Sequence, residues 1–219
     1  MVNAVVRGLA AAALAVIPAL TPTPAQAAET RPLADAVAGL PVAIESRDGY
    51  DRSKFRHWNT GDDPTDGCNT RAEVLLHEAI EPPTVGAGCR LTGGSWYSYY
   101  DTTMVTAAGS LDIDHMVPLA EAWDSGASAW TPQRREAYAN DQGAEASLVA
   151  VTARSNRSKA DQDPAQWLPP ATQVHCRYAA EWVGTKLRWA LAVDDTELAA
   201  LQDAAADCPG QTVTYEPAP

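Results

Sequence analysis

Beyond its first 27 residues, the 219-residue sequence lacks any apolar run long enough to cross a membrane. A membrane-spanning helix needs about 20 consecutive apolar residues, so no membrane partner is expected for the mature chain. The sequence also has no Cys-x-x-Cys pair and no His-Glu-x-x-His motif. These absences argue against a zinc site built from its four cysteines and against a zinc hydrolase. No internal repeat is visible, and no obligate protein partner is evident.

Positive charge is scarce, since 16 Lys and Arg residues face 28 Asp and Glu residues, for a formal net charge of −12. A protein that grips nucleic acid by broad electrostatic attraction carries the opposite sign. Tight nonspecific DNA binding is therefore not expected. Catalysis on nucleic acid is not excluded, because a site needs only local cations and a divalent ion.

The N-terminus has the order of a secretory signal peptide. Arg7 supplies a positive start, an apolar run follows from Leu9 to Leu20, and Ala25 and Ala27 are the small residues that a signal peptidase requires. Residues 1–27 are predicted to be removed, which leaves a secreted, extracellular protein with a formal charge of −13 once Arg7 is lost.

All four cysteines lie in the mature part, and an even number in an exported chain predicts two disulfides. Three pairings are possible. Cys68–Cys89 and Cys176–Cys208 are favoured because each closes a local loop that flanks the central segment without crossing it.

The pattern of elements predicts a single α+β domain, mostly helical, with a small antiparallel hairpin. Strands are expected over Leu111–Val117 and Leu148–Thr152, because apolar residues alternate in the first and run together in the second. The predicted organisation is an extended lead-in over 28–50 with one helical turn near Leu33 to Leu40, a catalytic domain over 51–208 and a disordered tail over 209–219. Within the domain, helices are predicted to begin near seven positions: Thr70, Leu119, Pro132, Asn156, Pro164, Val174 and Thr196.

The segment that carries chemistry is Asp112-Ile113-Asp114-His115-Met116-Val117-Pro118, followed later by Asn156-Arg157-Ser158-Lys159. A strand that ends on His115, a returning strand and a helix would bring Asn156 beside it as a ββα unit. Hydrolysis of a phosphodiester needs a base near neutrality, which a histidine supplies. It also needs a hard cation, for which Asp114 and Asn156 offer oxygen ligands.

These motifs resemble those of the HNH (ββα-metal) nucleases, and they are most similar to a secreted bacterial endonuclease family related to the C-terminal part of GmrSD-type restriction enzymes. The resemblance covers about Asp51 to Cys208. It implies that His115 is the general base and that Asp114 and Asn156 bind a divalent metal, Mg²⁺ or alternatively Mn²⁺. The implied substrate is nucleic acid, with DNA as the first choice and RNA as the alternative.

One residue departs from the family pattern. The middle asparagine, which holds the histidine loop in related nucleases, is replaced by Ser147, and Asn140 is the candidate to take over its role. Lys159, Arg157 and Arg71 are candidates for binding substrate phosphate. Asp112 lies on the same strand face as Asp114 and is a candidate to tune His115 or the metal.

An acidic loop resembles a calcium-binding EF-hand loop in outline, with Asp62, Asp66 and Glu73 as candidate ligands of a structural Ca²⁺. Pro64 occupies the third position of this loop, counted from Asp62, and removes the ligand expected there. The alternative to an enzyme is an exported, disulfide-stapled metal-binding or structural module without turnover. The set of Asp114, His115 and Asn156 favours the enzyme, because a scaffold has no physical need to bring them together.

Overall fold

The computed structural model of the protein describes Met1 and residues 27–219, so nearly all of the predicted signal peptide lies outside the described residues. The described chain forms short strands and α-helices, which confirms the α+β class. In chain order, the strands are β1 (Glu29–Pro32), β2 (Thr84–Gly86), β3 (Arg90–Thr92), β4 (Trp96–Ser98), β5 (Thr103–Val105), β6 (Leu111–His115), β7 (Leu148–Thr152) and β8 (Thr212–Tyr215). The α-helices are α1 (Leu33–Ala38), α2 (Thr70–His77), α3 (Leu119–Asp124), α4 (Pro132–Ala139), α5 (Ala153–Lys159), α6 (His175–Trp189) and α7 (Asp195–Asp207).

Several helices begin where a polar side chain caps the first backbone amides. Asn69 accepts a hydrogen bond from the Ala72 amide at the start of α2. Thr131 accepts one from the Arg134 amide at the start of α4, where proline occupies the first turn. These side chains satisfy amides that have no partner within the helix, and proline fits there because it has no amide proton to satisfy. The predicted starts of α2 and α4 are therefore confirmed, and α3 also begins at the predicted residue, Leu119, without a side-chain cap.

The strands pair in four separate antiparallel hairpins or ribbons within the described residues: β1 with β8, β2 with β3, β4 with β5, and β6 with β7. The β6–β7 pair is central to the fold. His115 lies opposite Leu148, and Leu111 lies opposite Thr152. The helix α5 follows β7 without a loop and contacts β6, so β6, β7 and α5 form a ββα unit.

The β6–β7 pair is buried on both faces. Val149 and Val151 belong to the larger apolar core, which also holds residues of α1, α3, α6 and α7. Leu148 and Ala150 face the opposite way, into a smaller core that includes Ile113. Successive side chains of a strand point to opposite faces, so a strand covered on both sides is apolar throughout. This explains why β7 reads as a continuous apolar run.

The two predicted disulfides, Cys68–Cys89 and Cys176–Cys208, are both present. The second joins the first turn of α6 to the end of α7, and these helices pack against the main core. No helix among the described residues has the length and apolar character that crossing a membrane requires.

Two predictions about segments outside the central unit are wrong. Residues 209–219 are not a disordered tail, because β8 pairs with β1 and buries Val213 in the main core. The helical turn predicted in the lead-in is present as α1, which packs into that core through Leu33 and Val37. At Asp163 the chain makes a turn and not a helix, since the carboxylate accepts from the two amides that follow Pro164 and no helical ladder continues.

Candidate active site

The ββα unit brings three predicted residues to one cleft of about 430 Å³, lined by Asp114, His115 and Asn156. Asp114 and His115 end β6, opposite Val149 and Leu148 of β7. The hydroxyl of Thr152 caps α5 by accepting from the Ser155 amide, so the helix begins directly after the strand. This local sequence turns the chain back and places Asn156 over the end of β6.

His115 is 6% exposed and lies between two aromatic rings. The ring of Trp58 stacks on it with centroids 5.5 Å apart, and the ring of Tyr138 lies 6.4 Å away on a nearly parallel plane. His115 Nε2 lies 2.9 Å from the carbonyl oxygen of Ala139. Because a carbonyl can only accept, Nε2 carries the proton and Nδ1 of the neutral ring is a free acceptor.

Burial is the main cause that lowers the pKa of His115, to about 3. The hydrogen bond to the Ala139 carbonyl opposes this shift, while Arg52 adds to it. His115 is therefore neutral at pH 7 and able to accept a proton. A phosphate anion near the ring would favour the charged form and raise this pKa, since an opposite charge stabilises the imidazolium.

Two buried side chains hold the carboxylate of Asp114 in place. Its Oδ2 accepts hydrogen bonds from the Tyr100 hydroxyl at 2.6 Å and from Lys159 Nζ at 2.5 Å. Burial raises the pKa of Asp114, and Lys159 and Tyr100 act against that rise. Oδ1 makes no hydrogen bond within the described residues and is not fully buried, so it remains available to the cleft.

Lys159 does not reach the cleft, and the prediction that it binds phosphate is wrong. Its side chain is fully buried. Besides Asp114, its ammonium donates to the carbonyl oxygens of His115 at 3.1 Å and Met116 at 2.7 Å. An ammonium has three protons, and all are used here. Lys159 thus neutralises Asp114 and fixes the backbone that follows the histidine.

The structure does not bring Arg71 into the cleft, so its role in binding substrate phosphate stays a prediction. Its guanidinium donates to the carbonyl oxygens of Ala108 and Leu111, at 3.3 and 3.0 Å, and braces the start of β6. Arg71 does not line the cleft that holds His115.

Arg157 does line the cleft, and its guanidinium is largely exposed. Its Nε lies 3.3 Å from Asp112 Oδ2, and the Asn156 amide donates to the same oxygen at 3.4 Å. Asp112 therefore orients Asn156 through its amide nitrogen, which leaves the amide oxygen without a partner among the described residues. No hydrogen bond or ion pair joins the side chains of Asp112 and His115 among those residues.

Asn140 has the geometry of a loop-holding residue. Its oxygen accepts from the Asn59 amide and the Thr70 hydroxyl, both at 3.0 Å. Its nitrogen donates to two backbone carbonyls at 2.8 Å. These bonds fix the backbone beside Ala139, whose carbonyl contacts His115. Ser147 instead donates to Asp141 and is not part of this network.

Sequence reasoning missed four residues that shape the site. Tyr50 and Arg52 line the cleft, Trp58 covers His115, and Tyr100 contacts Asp114. Arg52 lies in a short 3-10 helix and belongs to no motif, so no local signal marks it.

The predicted calcium ligands Asp62, Asp66 and Glu73 do not bring their carboxylate oxygens together around one point. Both carboxylate oxygens of Glu73 accept from the amides of Asp62 and Asp63, and one also accepts from Gln142. A carboxylate that accepts from amides closes the loop itself and needs no cation. In the described part of the chain, three acidic side chains with converging oxygens occur elsewhere, at Glu45, Glu121 and Asp124.

Comparison with known proteins agrees with these observations. The family model described as the C-terminal domain of GmrSD restriction endonucleases matches residues 53–204. An uncharacterized secreted protein from Arthroderma benhamiae is 39% identical over 194 residues, which cover 88% of this chain and 93% of the relative. This confirms the prediction of a secreted protein. The relative is fungal, which corrects the expectation of a bacterial family. No solved structure matches the chain.

Proposed function

Since the chain belongs to the family of GmrSD restriction endonuclease C-terminal domains, we propose that it is a secreted, metal-dependent endonuclease of the HNH type that hydrolyses DNA. The family indicates a nuclease that acts on nucleic acid. The HNH assignment, the metal and the preference for DNA are the further parts of the proposal.

One observation carries the proposal. A ββα unit places a neutral histidine with a free ring nitrogen in the same cleft as a carboxylate and an amide, each with an oxygen available. A general base must hold a free electron pair within reach of the water that it deprotonates. His115 Nδ1 meets that requirement, and the hydrogen bond from Nε2 to Ala139 fixes the ring.

The residues present fit a hard divalent cation such as Mg²⁺, or Mn²⁺ in its place. Asp114 Oδ1 and the Asn156 amide oxygen accept no hydrogen bond within the described residues, and oxygen atoms are the ligands that Mg²⁺ prefers. Once bound, such an ion would neutralise phosphate charge and stabilise the leaving oxygen.

The chain's own groups supply the remaining functions. His115 accepts a proton from the attacking water and becomes the imidazolium, which the Ala139 carbonyl stabilises through Nε2. Arg52 and Arg157 line the cleft and provide local positive charge for a phosphate, on a chain that is acidic overall. Trp58 and Tyr138 hold the imidazole plane. Attack by water on phosphorus in this arrangement would leave a 5′-phosphate and a 3′-hydroxyl.

The experiment is a plasmid-cleavage assay of the purified chain with Mg²⁺ or Mn²⁺, with and without a chelator. We expect His115→Ala to reduce the rate by about 10²–10⁴-fold, the usual contribution of a general base. The matched control is His175→Ala, because His175 contacts the Pro169 carbonyl and does not line the cleft.

The two variants must also keep the circular dichroism spectrum of the wild type. Equal cleavage by wild type and His115→Ala would refute the mechanism. A folded wild type that binds metal but cleaves neither DNA nor RNA would favour the alternative, an exported metal-binding module without turnover.

A further inference from the structure

A second group of acidic side chains lies at α3, outside the residues that line the cleft. Glu45 comes from the lead-in, and Glu121 and Asp124 come from α3. One carboxylate oxygen from each lies within 4.8 Å of the others. Two ligands of one calcium ion can lie this far apart, because each Ca²⁺–O bond measures about 2.3–2.6 Å.

Asp124 adds an independent observation. Its side chain is only 8% exposed, and Oδ2 accepts from Arg47 Nε at 2.6 Å. Its other oxygen, Oδ1, is buried and has no hydrogen-bond partner among the described residues. Native proteins rarely leave a buried carboxylate oxygen unpaired, because desolvation without compensation is costly. An unpaired oxygen in a group of three carboxylates calls for a proton or a cation.

The surrounding charges do not balance the group. The charged groups that contact these carboxylates or their partners are two cations and two further carboxylates: Lys186, Arg47, Glu197 and Asp161. Lys186 is already shared between Glu121, at 2.9 Å, and Glu197, at 2.6 Å. Five carboxylates therefore share two cations, and the local charge is negative when all are ionised.

We propose that Glu45, Glu121 and Asp124 form a binding site for a structural divalent cation, with a preference for Ca²⁺ over Mg²⁺. The bound ion would connect the lead-in to α3. Hard cations bind carboxylate oxygens. Calcium fits better than Mg²⁺ because it accepts irregular geometry, whereas Mg²⁺ demands a near-ideal octahedron.

The test uses the full secreted chain, freed of metal by a chelator, and two probes that do not depend on activity. The first is the thermal unfolding midpoint during titration with Ca²⁺ alone. The second is Tb³⁺ luminescence, because Tb³⁺ replaces calcium and Trp123, next to Asp124, can sensitise it. Glu45→Gln removes the negative charge of one ligand and does not alter a residue of the cleft. Asp114→Asn is the control for binding at the proposed catalytic site.

We expect Ca²⁺ to raise the unfolding midpoint of the wild type in a saturable way. Glu45→Gln should weaken this binding by at least about tenfold, because calcium affinity depends on the number of charged ligands. Asp114→Asn should bind as the wild type does, and cleavage by Glu45→Gln with saturating Mg²⁺ should be unchanged.

Three results would overturn the proposal. One is the absence of any calcium effect up to about 10 mM, above the dissociation constants of weak extracellular calcium modules. Another is equal binding by wild type and Glu45→Gln. The third is loss of binding in Asp114→Asn alone, which would assign the ion to the cleft. None of these results depends on whether the chain cleaves nucleic acid.

Discussion

Two lysines, Lys159 and Lys186, are both fully buried, yet their surroundings shift their pKa values in opposite directions. Burial lowers the pKa of Lys159, and its one partner carboxylate, Asp114, does not reverse the shift. Burial also acts to lower the pKa of Lys186, but Glu197 and Glu121 outweigh it and raise the value. The number of facing carboxylates decides the outcome. The region of the cleft is balanced in charge, whereas the region beyond α3 holds an excess of negative charge.

Lys159→Met, in the charge-balanced region of the cleft, is expected to have the largest effect. Lys159→Met leaves Asp114 buried without its cation and leaves the carbonyl oxygens of His115 and Met116 without a donor. Removing one partner of a buried ion pair costs about 3–5 kcal/mol, and urea denaturation should show a loss of that size in the free energy of unfolding. A loss below about 1 kcal/mol, the value of an exposed pair, would show that the lysine is not buried in solution.

Lys186→Met should cost less at pH 7, about 1–3 kcal/mol, because the carboxyl groups it leaves can take up protons. It leaves one carbonyl oxygen, that of Ala192, without a donor, whereas Lys159→Met leaves two. The pKa of Glu197 is already raised, mainly by burial, to about 7. The cost should shrink further at pH 5. Denaturation at both pH values measures it, and a larger loss at pH 5 would contradict the proposed excess of negative charge.

Glu45→Gln tests the excess of negative charge directly, in a buffer that contains a chelator. Folded Glu45 keeps its proton up to about pH 8, whereas the unfolded chain releases it near 4.5, so its stabilising effect is present at low pH and is lost as the pH rises through 8. Above pH 8 the variant should melt about 2–4 °C higher than the wild type, as about 1 kcal/mol gives in a chain of this size. The gain is limited because Glu45 is half-buried and water screens it. Equal melting of the two proteins at pH 5 and 8.5 would disprove the shift.

The smallest effect on stability is expected at Arg157, on the exposed side of the cleft. Its ion pair with Asp112 is open to solvent, so Arg157→Ala should change the free energy of unfolding by less than about 1 kcal/mol. The KM for DNA should nevertheless rise, with weaker dependence on salt, because one phosphate contact is lost. Steady-state kinetics at two salt concentrations checks this. An unchanged KM would remove Arg157 from the substrate-binding surface.

The sequence was most informative where the relevant contacts are local. The alternation in Leu111–His115 and the apolar run of β7 define a hairpin, and α5 follows it directly. The meeting of Asp114, His115 and Asn156 could therefore be predicted from three adjacent elements. The caps at Asn69 and Thr131 are equally local, and the helices they begin were predicted correctly.

Residues whose partners are distant in sequence could not be placed in this way. Lys159 lies three positions after Asn156, so a shared helix face was the reasonable expectation. Its direction is set by Asp114 and by two carbonyl oxygens at the end of β6. The meeting of Glu45 with α3 depends on how the lead-in crosses the molecule, for which the sequence has no periodic signal. Strand β8 is similar, since four residues acquire their structure from a partner at the other end of the chain.

The pairing of β1 with β8 sets an order for the folding of the protein. Arg31 pairs with Val213, so the first strand of the described chain has no partner until β8 has been synthesised. An antiparallel ladder cannot form with a strand that has not yet been made. The β1–β8 ribbon is therefore a late step, which follows the synthesis of every other helix and strand described above.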